Sequence, residues 1–169
     1  LSGKISLVTV CRTTRSKDLK TLIIGVAELK KNTDQSIFLE IAGVPITPDD
    51  EDYFRELKNV IEKLGVEKEI RFVGAVNHAE LAQTYQRANI FLHSSQTGSM
   101  DKTVLEALAN GRPVISSSDA YGALTTDSVV FSFKQGDPVD LAKTIENVYK
   151  SGIVDPEKLP NEQAIAYVS

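Results

Sequence analysis

Three cations and three hydroxyls crowd seven residues near the start of the chain: Cys11-Arg12-Thr13-Thr14-Arg15-Ser16-Lys17. Arginine forks onto phosphate oxygens and lysine adds a point charge, so such a segment can hold a diphosphate. A solvated loop in which Ser16 caps a following helix is the alternative that composition leaves open. A second segment, Ser94-Ser95-Gln96-Thr97-Gly98-Ser99-Met100, is built of small and hydroxyl residues that let backbone approach a ligand closely. It runs into Asp101 to Asn110, where Glu106 stands among Val104, Leu105, Ala107 and Leu108. A carboxylate in apolar company needs partners. Two adjacent hydroxyls of a ribose would satisfy it, and so would a surface Lys or Arg.

The elements around these segments follow from hydrophobic periodicity. Ile5 to Val10, Ser36 to Ala42, Glu69 to Val73, Asn89 to His93, Pro113 to Ser116 and Ser128 to Phe133 read as six strands. Between them, Leu19, Leu22, Ile23, Val26 and Ala27 mark one helix, and Tyr53, Leu57, Val60, Ile61 and Leu64 a second, with Gly65 at its C-terminal end. His78 to Arg87 and Asp101 to Asn110 are expected to be two more. Asp137-Pro138 opens another, and a terminal helix is expected after Gly152. This alternation predicts an α/β domain: a doubly wound, mostly parallel, six-stranded Rossmann-like sheet in the order 3-2-1-4-5-6, with helices on both faces. In such a sheet ligands bind at the strands' carboxyl ends where the winding reverses, between strands one and four. The loops Cys11 to Lys17 and Ser94 to Lys102 should meet there, with a helix N-terminus pointing amides at the crevice.

Composition narrows the function. The chain has 169 residues, 41% hydrophobic and 25% charged, ordinary for one globular domain. Its net charge of -4 argues against a nucleic-acid surface, which needs clustered cations. No stretch approaches the roughly 20 apolar residues that span a bilayer, so no transmembrane segment is expected. The single cysteine, Cys11, excludes an internal disulfide, and it reads as a small packing residue. The chain opens with Leu1 and almost no leader before a strand, which predicts a domain of a longer protein.

Several segments together resemble the C-terminal domain of the group 1 family of retaining glycosyltransferases, which place two Rossmann-like domains across a cleft. They are Arg12 with Lys17; Phe72-Val73-Gly74-Ala75-Val76 with His78; Asp101 to Ala109 with Gly111-Arg112-Pro113-Val114-Ile115; and Gly136-Asp137-Pro138 with Leu141-Ala142. Their order and spacing cover nearly the whole chain. The resemblance implies that residues 1–169 form one nucleotide-sugar-binding domain, with an N-terminal partner domain supplying the acceptor site. It implies that Arg12 and Lys17 hold the donor diphosphate, assisted by Lys102 and Thr103 at the helix start. Glu106 would take the ribose, and Gly74, Ala75, Val76, Gly98 and Ser99 would line the base and sugar. Asp101 and Lys17 are the residues expected to serve the reaction. The implied donor is a UDP-, GDP- or ADP-sugar used without a cofactor or metal, and the implied acceptor is a glycan or lipid-linked hydroxyl. The implied location is cytoplasmic, with peripheral docking at the inner membrane face through the other domain.

Two departures from the family pattern bear on activity. The family commonly places a glutamate eight residues before the second one; here that position is Gly98. A glycine before the arginine is Cys11 here. These changes keep open a non-catalytic nucleotide-sugar-binding or regulatory module, beside the transferase and a nucleotide-sugar epimerase half. Asp49-Asp50-Glu51-Asp52 reads as an acidic helix start rather than a metal site. His93 closes a strand toward the crevice, where it would stack near a nucleotide or pack in the core. Tyr53 and Tyr85, on apolar helix faces, read as core.

Overall fold

The computed structural model describes residues 3–122 and 129–154. In chain order the elements are β1 (Lys4–Val10), α1 (Leu19–Lys31), β2 (Ser36–Ala42), α2 (Pro48–Leu64), β3 (Ile70–Gly74), α3 (Leu81–Gln86), β4 (Ile90–His93), α4 (Lys102–Ala109), β5 (Val114–Ser116), β6 (Val130–Ser132) and α5 (Pro138–Lys150). The strands form one sheet in the order β3-β2-β1-β4-β5-β6, and every pairing is parallel.

Period-two alternation along the central strands feeds two cores, one on each face. Ile5 and Leu7 of β1 with Ile37, Leu39 and Ile41 of β2 meet α1, α2 and α5. Val8 of β1 and Phe91 of β4 turn the other way, against Tyr85 of α3 and Val104, Leu105, Ala107 and Leu108 of α4. The predicted order and two-sided packing are therefore what the chain adopts. Tyr53 and Tyr85 are both core.

Local chemistry explains where element boundaries differ from expectation. The predicted helix His78 to Arg87 splits into a 3-10 turn, His78–Glu80, followed by α3, because the Asn77 side chain accepts from the Glu80 amide and tightens the first turn. Ser16 is not a helix cap; it lies in a 3-10 turn, Arg15–Lys17, and α1 starts after Asp18 in a left-handed conformation. The Asp18 carboxylate accepts from the Thr21 hydroxyl instead of capping. Asp101 precedes α4 rather than belonging to it. The helix expected after Gly152 lies, beyond Val154, outside the described residues, as does Ser128 at the start of the sixth predicted strand.

Candidate functional site

The two hydroxyl-rich loops meet at the carboxyl ends of β1 and β4, where the sheet reverses its winding. They are joined by hydrogen bonds: the Ser94 hydroxyl donates to the Lys17 carbonyl, and the Gln96 amide donates to the Ser16 carbonyl at 2.9 Å. Asp101 is the centre of this junction. One of its oxygens, Oδ2, accepts from Lys17 Nζ at 2.8 Å and from His93 Nε2 at 2.7 Å. That engagement is why Asp101, although at the N-cap of α4, makes no side-chain cap.

Behind Asp101 the network continues inward. His93 is 4% exposed, and its Nδ1 lies 2.7 Å from the Ser116 hydroxyl. Ser116 Oγ accepts from the Ser118 amide at 3.0 Å, which leaves its own proton for Nδ1. The ring proton is thereby assigned to Nε2, donated to Asp101. Burial holds His93 below its usual pKa, with the Asp101 hydrogen bond opposing it only in part. Burial tends to raise Asp101, but hydrogen bonds from Lys17 and His93 outweigh it and keep the carboxylate below its usual range. At neutral pH Asp101 is therefore a carboxylate and His93 a neutral imidazole. Tyr121 closes it, packing edge-on against His93 and sharing hydrogen bonds with the Asp101 backbone.

Arg12 has its own carboxylate. Its Nε and Nη2 each lie 2.7 Å from Asp50 Oδ2 at the start of α2. Burial opposes ionisation of Asp50, yet bonds from the Thr14 hydroxyl, the Ile46 and Thr47 amides and Arg12 hold it far below the usual carboxylate range. Thr47 and Asp50 form a reciprocal capping box with Pro48 at the first turn. The acidic run is a helix start as expected, but not a solvated one: Asp50 is 1% exposed. Its neighbours Asp49 and Asp52 pair with Arg15 and Arg55.

A cleft of about 320 Å³ opens beside these groups, at the ends of β1, β2 and β3 and the start of α4. Arg12, Thr103, Ala75 and Val76 line it together with the largely apolar segment Ala42 to Ile46. Gly43 is required there: at φ 138° a Cβ would fall 1.8 Å from the Cys11 carbonyl oxygen. Glu106 lies one turn into α4, where Oε2 accepts from the Tyr85 hydroxyl at 2.7 Å and Oε1 is 3.8 Å from Lys102 Nζ. A larger groove, about 460 Å³, lies on the other side of Ala75 and Val76 toward Arg71 and Arg87. It contains neither loop, whereas the smaller cleft takes in Cys11 and Arg12 of the first, so the site is placed there, beside the switch point.

Residues 2–165 match the family described as glycosyl transferases group 1. The chain belongs to that family. Among curated relatives, this glycosyltransferase domain is 28% identical over 119 residues to alpha-monoglucosyldiacylglycerol synthase of Streptococcus pneumoniae, covering 70% of this chain and 25% of that one. It is 36% identical over 101 residues to D-inositol 3-phosphate glycosyltransferase of Corynebacterium glutamicum, covering 59% and 23%. The domain thus spans about a quarter of the length of the curated relatives it matches. Its fold is similar to that of Anabaena Alr3699/HepE in complex with UDP and glucose (TM-score 0.79, 22% identity, 97% of this chain, 44% of that one). It is also similar to the C-terminal domain of the group 1 protein LpcC from Francisella tularensis (TM-score 0.78, 18% identity, 96% and 85%).

Within this glycosyltransferase domain the expected site residues separate into groups. Arg12, Thr103, Ala75 and Val76 share the cleft; Lys17 and Asp101 are in direct contact; Lys102 and Glu106 face each other along α4. Gly74, Gly98 and Ser99 do not line the cleft. Gly98 adopts φ 66° with no atom within 4 Å of a would-be Cβ, so a glutamate here would meet backbone strain rather than a steric clash. Four participants went unrecognised in the sequence: Asp50, Tyr85 as the partner of Glu106, Ser116 and Tyr121. The Thr47-x-x-Asp50 spacing was a usable signal for the first. The other three pair across 20 to 23 residues, beyond any local pattern.

Proposed function

We propose that this chain is the donor-binding domain of a retaining glycosyltransferase, which moves a sugar from a nucleoside diphosphate to an acceptor hydroxyl without a metal. The observation that carries this is the cleft beside the switch point, which sets a guanidinium and a helix start beside an apolar wall. Arg12, Lys17 and the α4 amides at Lys102 and Thr103 stabilise the departing diphosphate through charge and dipole. Glu106 holds the ribose through Oε1, while Ala75 and Val76, which line the cleft, offer backbone to the base. Asp101 sits where the sugar meets Lys17, with Gly98 and Ser99 bordering that end.

The UDP complexes of the Anabaena protein support uridine as the first base to try. The name of the pneumococcal relative supports a lipid acceptor, reached from the cytoplasmic face through the rest of the protein. The isolated domain is expected to bind donor without transferring it.

Calorimetric titration with UDP, GDP and ADP, each with and without magnesium, tests the reading. Magnesium-independent binding of one of them, lost in Glu106→Ala, is the expected result. Arg12→Ala and Lys17→Ala should each weaken that diphosphate far more than its nucleoside, and equal losses would sink the diphosphate assignment. Gly98 in the place of the family's glutamate favours a second reading, a module that binds donor but does not transfer. Donor binding by the full-length protein with no sugar transferred to any lipid or glycan acceptor would decide for it.

A further inference from the structure

Arg12 is reached from one side by a carboxylate that also organises the wall of the cleft. Asp50 Oδ2 accepts from the Ile46 amide at 3.0 Å, the Thr47 amide at 3.2 Å, and Arg12 Nε and Nη2 at 2.7 Å each. Ile46 and Val44 belong to the apolar wall, and Arg12 is the cation that faces it. A second link, from the Thr13 amide to the Val44 carbonyl at 3.2 Å, joins the same two segments. The Asp50 side chain is 2% exposed, whereas that of Arg12 is 43% exposed. Guanidinium has two donor edges. Asp50 occupies the Nε edge and makes no contact with Nη1, and Arg12 lines the cleft.

We propose that Asp50 is a positioning residue: its buried carboxylate fixes the Arg12 guanidinium and the Val44–Thr47 turn as one unit, presenting a preset edge to the donor diphosphate. The proposal rests on the reading of Arg12 as a diphosphate ligand. A free arginine would give up rotamer freedom on binding, and one already held gives up less. The opposing effect is repulsion between Asp50 and an incoming phosphate. It is blunted because this carboxylate sits at a helix N-terminus and is spent on four protein donors besides Arg12 Nη2: Arg12 Nε, the Thr14 hydroxyl and two amides.

The test uses the full-length protein titrated with UDP and with uridine, in wild type, D50N, R12A and the double variant. Asparagine keeps an oxygen for the Ile46 and Thr47 amides but no charge for Arg12. D50N is expected to weaken UDP about tenfold and uridine by no more than about twofold. In the R12A background D50N should add less than about twofold, since the residue it acts through is gone. Unchanged or tighter UDP binding in D50N, with R12A weakened, overturns the proposal and leaves the diphosphate reading standing. Equal weakening of UDP and uridine reduces Asp50 to a helix cap, which also overturns it. If R12A leaves UDP unaffected, or wild type binds no UDP, the reading of Arg12 falls and the proposal with it. One arm needs no Asp50 variant: hydrogen exchange at Arg12 Nε in wild type should be slow, and exchange as fast as at the exposed Arg71 would defeat the proposal.

Discussion

The Tyr85 hydroxyl donates to Glu106 Oε2 at 2.7 Å, joining α3 to α4. Tyr85 is 1% exposed, and burial first, then the adjacent carboxylate, pushes its pKa well above the usual tyrosine range. The phenol therefore stays a donor and commits one carboxylate oxygen, while the other lies 3.8 Å from Lys102 Nζ. Tyr85→Phe is expected to cost about 1–2 kcal/mol of stability in urea denaturation and to lower UDP affinity severalfold. A stability loss with unchanged affinity would confine Tyr85 to packing.

His93 should make stability depend on pH in a defined window. Its folded pKa lies below the usual 6.5, because burial outweighs the bond to Asp101. Between those values the unfolded chain binds more protons, so stability is full above about 6.5 and falls as pH drops toward the folded value. Asp101, also depressed, acts lower: its contribution is present above 3.8 and lost as pH falls through its folded pKa. Urea midpoints at pH 7.5 and 5.5 should drop for wild type and stay flatter for His93→Gln; parallel drops would refute the assignment.

Gly43→Ala is expected to destabilise the domain by about 3 kcal/mol, because the added methyl would require the Cys11 carbonyl to move and would hold a residue at positive φ. The displaced backbone carries Arg12, so UDP binding should weaken as well. Chemical denaturation and titration of one preparation measure both, and a variant as stable as wild type would contradict the contact.

Cys11 should be inert. Burial pushes its thiol up to about 12, with Lys17 and a hydrogen bond to Thr9 opposing only in part. Since the chain has one cysteine, labelling by a disulfide reagent at pH 8 reports it alone. Labelling should be slow in the native state and fast in urea. Rapid native labelling would mean that the thiol, half-buried at the cleft, ionises more readily than its surroundings imply.

Thr13 is fully buried, and its hydroxyl finds no partner among the described residues. Thr13→Val keeps the shape and removes a desolvated polar group, so stability should be unchanged or rise by up to about 1 kcal/mol. A loss beyond that would mean that the hydroxyl has a partner, and nucleotide titration of the same variant would tell whether the loop depends on it.

Patterns that repeat along the chain were legible without coordinates. Alternation in Ser36 to Ala42 and three-and-four spacing from Leu19 to Ala27 depend only on which face of a strand or helix is buried, and burial acts on every residue of the element. Strand order followed, because right-handed crossovers leave few ways to wind six parallel strands. The two loops were legible too, since the switch point is a property of that order. Short-range backbone chemistry was less so: Asn77 and Asp18 each shifted a helix start through one hydrogen bond that no periodicity encodes.

The sequence by itself thus determined the sheet, its two packed faces, and which loops would carry charge to the crevice. It did not determine which charge meets which. Asp50 reads as one of four acids at a helix start, yet is buried under Arg12; Asp101 is shared by Lys17 and His93; Glu106 is held by Tyr85. These pairs join residues 8 to 84 positions apart. Only the folded chain makes them adjacent, and only burial makes their pairing obligatory, because a desolvated charge must find its partner wherever the fold has put one.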